Sequence, residues 1–150
     1  MTRRWLTAVV AALAVGAGLT ACGSAISDDD ASDQLVRQDW IAETIDGTPV
    51  INPGRVTLAF AEGRVSGRGG CNHYSGPVEI GAQTLKIGAL ISTKMACVEN
   101  GLMQQESAYL NALQSAQRYR VGGDARLVIT TASGAIVYAG APKQQRPEGS

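Results

Sequence analysis

The sequence predicts an α+β fold: a small antiparallel sheet, strongly curved or closed into a partial β-barrel, with one α-helix packed on it. Three observations predict it. Most of the central chain divides into short runs in which apolar and polar residues alternate, with glycine-rich turns between them. A single stretch, Leu102 to about Ala116, repeats its large apolar residues at helical spacing. Strands and helices do not alternate along the chain, which argues against a parallel sheet with crossover helices.

The elements follow in order. Trp40 to Ile45 is the first expected strand, and Val56 to Phe60 alternates large apolar with small or polar residues as a half-buried strand does. Glu62-Gly63 turns the chain into Arg64 to Gly67, a hairpin partner. Ser75 to Ile80, Leu85 to Ile87 and Ala89 to Thr93 come next, separated by glycines. Asn100-Gly101 opens the helix. Leu102, Tyr109, Leu113 and Ala116 form its apolar face with Met103 and Leu110 beside them, and Gln104, Gln105, Glu106, Asn111 and Gln114 are expected on a wet side. Arg118 to Val121, Arg126 to Thr130 and Ala135 to Ala139 complete the strands, with turns at Gly122-Gly123-Asp124 and Ala132-Ser133-Gly134.

The N-terminal end carries a different signal. Met1 to Arg4 is basic, Leu6 to Leu19 is apolar or small without a charge, and Leu19-Thr20-Ala21-Cys22 ends the run. A run this short, closed by small residues and a cysteine, fits a cleaved signal better than a spanning helix. The tetrapeptide resembles a lipobox, which implies cleavage ahead of Cys22 and diacylglycerol on its thiol, anchoring the protein to a membrane. An ordinary secretory signal cut after Ala21 is the weaker alternative. Gly23 rather than Asp follows the cysteine, which for such signals favours the outer membrane where the source has one. The expected location is therefore the cell envelope, lipid-anchored.

The whole chain has 13 basic and 13 acidic residues; residues 1–21 hold two arginines and no acid, leaving 11 against 13, a net charge of −2. No basic face for nucleic acid is visible. Residues 22–38 read as a flexible tether, because Ser24 to Gln34 is small, acidic and poor in apolar residues. Asp28-Asp29-Asp30 lacks calcium-loop spacing and reads as solvated. Residues 39–140 form the folded body, about a hundred residues and so one domain. Residues 141–150 read as a frayed polar tail.

The centre of that body holds Gly67-Arg68-Gly69-Gly70-Cys71-Asn72-His73-Tyr74-Ser75-Gly76, followed by Leu85-Lys86-Ile87-Gly88 and Ser92-Thr93-Lys94-Met95-Ala96-Cys97. These blocks resemble the META domain family, also called HslJ-like. The resemblance includes Trp40 with Gly47 and Pro49, Gly-Cys-Asn at 70–72, Tyr74 with Gly76, and Thr-Lys-Met-Ala-Cys at 93–97. It continues through Glu106, Tyr109, Leu110 and Leu113 to Tyr119 and Leu127, covering roughly 40–139. It implies a small barrel-like antiparallel fold with a helix. Bacterial members are often envelope lipoproteins or secreted proteins, some associated with heat stress or novobiocin resistance. No established enzymatic activity comes with the family.

With Cys22 lipidated, Cys71 and Cys97 are the remaining thiols of three, and outside the cytosol such a pair usually bonds. A structural disulfide is expected, stabilising the fold by about 3.5 kcal/mol on the chain-entropy model. A redox or metal-binding pair is the alternative, weakened by the absence of Cys-x-x-Cys. His73, the only histidine, could join Met95, Cys97 and Met103 around a soft metal, but methionines more often fill cores. No metal or cofactor is expected. Cys71 with His73 as a nucleophile pair fails on spacing and on the disulfide. Gly67-Arg68-Gly69-Gly70 lacks the ending of a phosphate loop and opens no helix, so a turn needing positive φ explains it better. Asn72 is expected to hold that turn. Arg68 and Lys94, with Asn72 and His73, form a candidate surface contact for an acidic partner. The expected function is a non-enzymatic envelope lipoprotein that binds or supports an envelope component in maintenance or stress tolerance. A metal- or small-molecule-binding lipoprotein and a thiol-dependent enzyme are the alternatives.

Overall fold

A computed structural model describes residues 28–143. The expected signal, Cys22 and residues 144–150 of the expected tail lie outside these residues. Ten strands and two helices follow one another. The helices are α1 (Asp28–Arg37) and α2 (Leu102–Gln114). The strands are β1 (Gln38–Ile45), β2 (Thr48–Pro49), β3 (Thr57–Ala61), β4 (Arg64–Arg68), β5 (His73–Ile80), β6 (Leu85–Ile87), β7 (Ile91–Ser92), β8 (Arg118–Val121), β9 (Arg126–Thr130) and β10 (Ala135–Pro142).

The pairings are antiparallel and run β6-β5-β4-β3-β1-β10-β9-β8, with β2 added to β1 and β7 to β5. The two ends of this path meet. Thr84 bridges Arg118, Leu85 N–H donates to the Gln117 carbonyl at 3.1 Å, and Tyr119 N–H donates to the Gln83 carbonyl at 3.1 Å. The sheet is thereby nearly closed on itself, the α+β partial barrel that the alternating runs predict. Closure also covers strand edges that would otherwise invite pairing with another chain.

Alternation along the strands sets the core. Leu58 and Phe60 of β3 are buried while Ala61 is exposed, and Leu127 and Ile129 of β9 are buried while Arg126 and Thr130 are exposed. Trp40, Val65, Leu85, Ile136 and Tyr138 fill the interior with them. α2 packs against β1, β6 and β10, with Tyr109, Ala112 and Leu113 in the common core and Leu102 buried against the turn at Gly70. Gly67 lies where β4 crosses close to β3: a Cβ there would fall on the Thr57 carbonyl and 2.9 Å from the Tyr74 hydroxyl.

Two expectations at the edges are corrected. The segment read as a tether is helical from Asp28, and Leu35 on α1 is fully buried. The Trp40 indole N–H donates to the Leu35 carbonyl at 3.0 Å, fastening the helix end to the core. Asp30 near its start and Arg37 in its last turn, paired with Asp33 at 3.0 Å, suit the helix dipole. At the other end β10 runs to Pro142, with Ala141 opposite Asp39 and Pro142 opposite Gln38, so the sheet continues past the expected boundary at 140. The expected strand at 89–93 shortens to β7, because Leu90 N–H turns aside to the Gln114 side chain at 3.2 Å.

Candidate functional site

The two cysteine blocks meet at one buried junction. Gly70 takes φ +126°, and Gly69 N–H donates to the Asn72 carbonyl at 2.8 Å, closing a tight turn after β4. The turn points successive backbone N–H groups the same way. Cys71 N–H and Asn72 N–H both donate to Glu106 Oε2, at 2.9 and 2.6 Å, and the Asn72 amide donates to Glu106 Oε1 at 2.7 Å. Adjacent N–H groups converging on one anion form a nest. The glycine-rich segment does build an anion cradle, and a carboxylate of this chain fills it.

Asn72 carries the junction one step further. Its Oδ1 accepts from Met95 N–H at 2.7 Å and from the Thr93 hydroxyl at 2.9 Å, while its amide also reaches the Met95 carbonyl at 3.4 Å. The segment from 93 to 97 is thus held to the turn by one side chain, and the turn to α2 by another. A disulfide joins Cys71 to Cys97 across the same junction, with Cα atoms 6.0 Å apart. Glu106 and Asn72 are 5% and 3% exposed. Two expectations change. Glu106 is not on the wet side of the helix, and Asn72 is not a surface contact; it holds the turn, as expected, and the next segment as well. The signal for Glu106 was its position: Leu102, Glu106, Tyr109 and Leu113 repeat at the spacing of a buried helix stripe.

Sequence reasoning also missed a tyrosine cluster beneath the junction. Tyr138 donates to the Tyr109 hydroxyl at 3.2 Å, the Tyr109 and Tyr74 hydroxyls are 2.8 Å apart, and Tyr74 donates to the Thr57 carbonyl at 2.8 Å. Tyr109 lies edge-on to both partners, with ring centroids 5.7 Å from Tyr74 and 6.5 Å from Tyr138. Burial pushes the Tyr109 phenol up to about 12. Burial, reinforced by the neighbouring Tyr109, also raises Tyr74 and Tyr138 well above the ordinary tyrosine value. The signal was the placement of Tyr74 and Tyr138 on the inward parity of their strands.

The remaining predicted residues separate. Arg68 and His73 are exposed and stand directly opposite each other on β4 and β5. Both line an open trough of about 1640 Å³ on the outer face of the sheet; Lys94, exposed in the next segment, does not line it. The expected pairing of Arg68 with Lys94 is therefore replaced by Arg68 with His73. Of the residues weighed for a soft metal, Cys97 is in the disulfide, and Met95 and Met103 are 56% and 42% exposed. Among the described residues no three His, Cys, Asp or Glu side chains group as metal ligands, and no helix is long and apolar enough to cross a membrane.

Comparison with known proteins places this geometry in context. The sequence model of the META domain matches residues 33–143. An NMR structure of a protein from Burkholderia xenovorans superposes with TM-score 0.62 at 24% identity, covering 95% of this chain and 100% of its own. A second NMR structure gives TM-score 0.61 at 24% identity, covering 75% of this chain and 97% of its own. At that identity the likeness is one of fold. No curated protein matches the chain.

Proposed function

The chain belongs to the META domain family, and from that premise we propose that it is a non-enzymatic, lipid-anchored protein of the cell envelope. Its META domain acts as a rigid binding or supporting module in envelope maintenance or stress tolerance. The observation that carries the reading is the Cys71–Cys97 bond. A disulfide at the centre of the domain favours an oxidising compartment, which is where a lipobox leader delivers a protein. The same bond ties up both sulfurs that a thiol-dependent reaction would need. The groups around it, Asn72 and Glu106, are spent on holding backbone.

Rigidity supports a binding role more than a catalytic one. Turn, following segment and helix are bound to one another by side-chain hydrogen bonds and a covalent bond, so the surface above them is presented in one shape. The anchor is tested in cells. Cys22→Ala should move the protein from the membrane to the soluble fraction and abolish fatty-acid labelling. Retention of the variant in the membrane with label intact would refute the anchor.

A further inference from the structure

We propose that the trough on the outer face of β3, β4, β5 and β7 is the seat of this chain's own segment 144–148, laid across it as an extended strap with Arg146 toward Asp39 and Glu62 and Glu148 toward Arg68 and His73. The proposal goes beyond the binding role and does not depend on the anchor at Cys22. The trough carries both signs of charge, and they are sorted by place. Asp39, next to the Trp40 that pairs with Leu58, and Glu62, directly after β3, make one end acidic. Arg68 and His73, opposite each other on β4 and β5, make the other end basic. Between them Ala59 is opposite Ser66 and Ser66 opposite Ser75, three small side chains that form a low floor. A ligand of one sign is attracted at one end and repelled at the other. The occupant that fits enters from the acidic end and carries a base first and an acid second.

Lys143 places such a segment at the acidic end. It is the last described residue, it lines the trough, and its ammonium donates to the Val36 and Phe60 carbonyls at 2.8 and 3.2 Å. The sequence beyond it reads Gln144-Gln145-Arg146-Pro147-Glu148, base then acid. The reach agrees. From Lys143 to Arg68 is three strand steps of about 4.8 Å and four residues of about 3.4 Å, roughly 20 Å in all. Three extended residues carry Arg146 about 10 Å, level with Asp39 and Glu62, and five carry Glu148 about 17 Å. The lengths of the Arg68 and Glu148 side chains close the remainder.

The local sequence suits an extended strap. Residues two apart in an extended chain share a side, so Arg146 and Glu148 face the floor together while Pro147 turns away. Pro147 fixes its own φ and confines Arg146 to extended conformations, which lowers the entropy lost on seating. The receiving groups are available: among the described residues the Glu62, Arg68 and His73 side chains have no hydrogen-bond or ion-pair partner. Arginine takes a carboxylate in bidentate fashion, so Arg146 suits Glu62 as Arg68 suits Glu148. The strap covers Ser66 and Ser75, and a partner for this face has to displace it.

The test uses the full chain in non-ionic detergent carrying Ser66→Cys, with alkylation of that thiol by N-ethylmaleimide followed by mass spectrometry of its peptide. The rate should rise at least fivefold when residues 144–150 are deleted, and by a similar factor in Glu148→Arg and in Arg68→Glu. Combining Glu148→Arg with Arg68→Glu should return it to within twofold of the parent, which a loosened fold would not do. Lys94→Glu should leave it unchanged. A second arm needs no charge reversal: in Arg68→Lys, a carbodiimide should join Glu148 to the new amine within one chain, read in a mixture of isotope-labelled and unlabelled copies. The proposal is overturned by equal alkylation with and without 144–150, or by a double reversal that stays fast. It is also overturned if the Glu148 link is absent, or joins only different copies, which would make the occupant a second copy of the chain.

Discussion

Replacing Glu106 by alanine should be among the most damaging changes on α2, comparable to truncating a buried apolar residue of the same helix. The carboxylate accepts from Cys71 N–H, Asn72 N–H and the Asn72 amide, all at hydrogen-bond distance and buried. A buried donor left unsatisfied costs about 1–3 kcal/mol, so three donors set a range of roughly 3–9 kcal/mol. Water entering the vacated space re-satisfies part of the loss, which brings the expectation to about 4 kcal/mol. For a domain of this size that lowers Tm by about 15 °C. Guanidinium titration of the disulfide-intact variant should show a lower midpoint at an unchanged slope. Gln104→Ala, exposed on the same helix, should change stability by less than about 0.5 kcal/mol. Glu106→Gln keeps the volume but sets an amide donor against donors, so it should cost at least about 2 kcal/mol. A Glu106→Ala variant within about 1 kcal/mol of the parent would refute the reasoning, because the donors would then be indifferent to the carboxylate.

Two further outcomes follow from the same junction and the cluster below it. Paired Cys71→Ser and Cys97→Ser changes should lower stability by about 3.5 kcal/mol for the 26-residue separation. Yet hydrogen exchange at Met95 N–H should remain slow, because Asn72 still accepts it; fast exchange there would show that the disulfide alone holds the segment. The buried phenols make the fold sensitive to alkali. Folded values raised above the ordinary value near 10 mean that stability is intact below that pH. It is lost as pH rises from about 10 through the folded value of Tyr109, about 12, at about 1.4 kcal/mol per pH unit for each phenol. Absorbance at about 295 nm should therefore show Tyr74, Tyr109 and Tyr138 ionising together with unfolding; smooth ionisation of the folded protein near the ordinary tyrosine value would contradict it.

Much of the architecture was legible because strand periodicity survives in short segments. β3, β4, β6, β8 and β9 fall within a residue or so of their alternating runs, since each buries one face and exposes the other. α1 was hidden by composition. Three aspartates mark a solvated chain by polarity, while the apolar contact that fixes the helix rests on Leu35, with Ala31 four residues before it packing alongside. β2 is two residues long and carries no period at all. At the junction, Cys71 and Cys97 could be paired from compartment and number, but Glu106 was misplaced. A charged side chain is read as exposed unless its donors are known, and here the donors are backbone groups some thirty-five residues away. Of the three tyrosines only Tyr109 was placed on an apolar face from the sequence. Their hydroxyl chain depends on β3, β5, α2 and β10 converging, which no local pattern records.

The burial of Leu35 bears on how far this protein can reach. The first described helix starts at Asp28, six peptide steps beyond Cys22, and even a fully stretched chain of that length spans only about 22 Å. On the proposed acylation of Cys22, a body leashed so closely would skim the bilayer rather than bridge a wide compartment. Whatever it meets would have to arrive at the lipid surface.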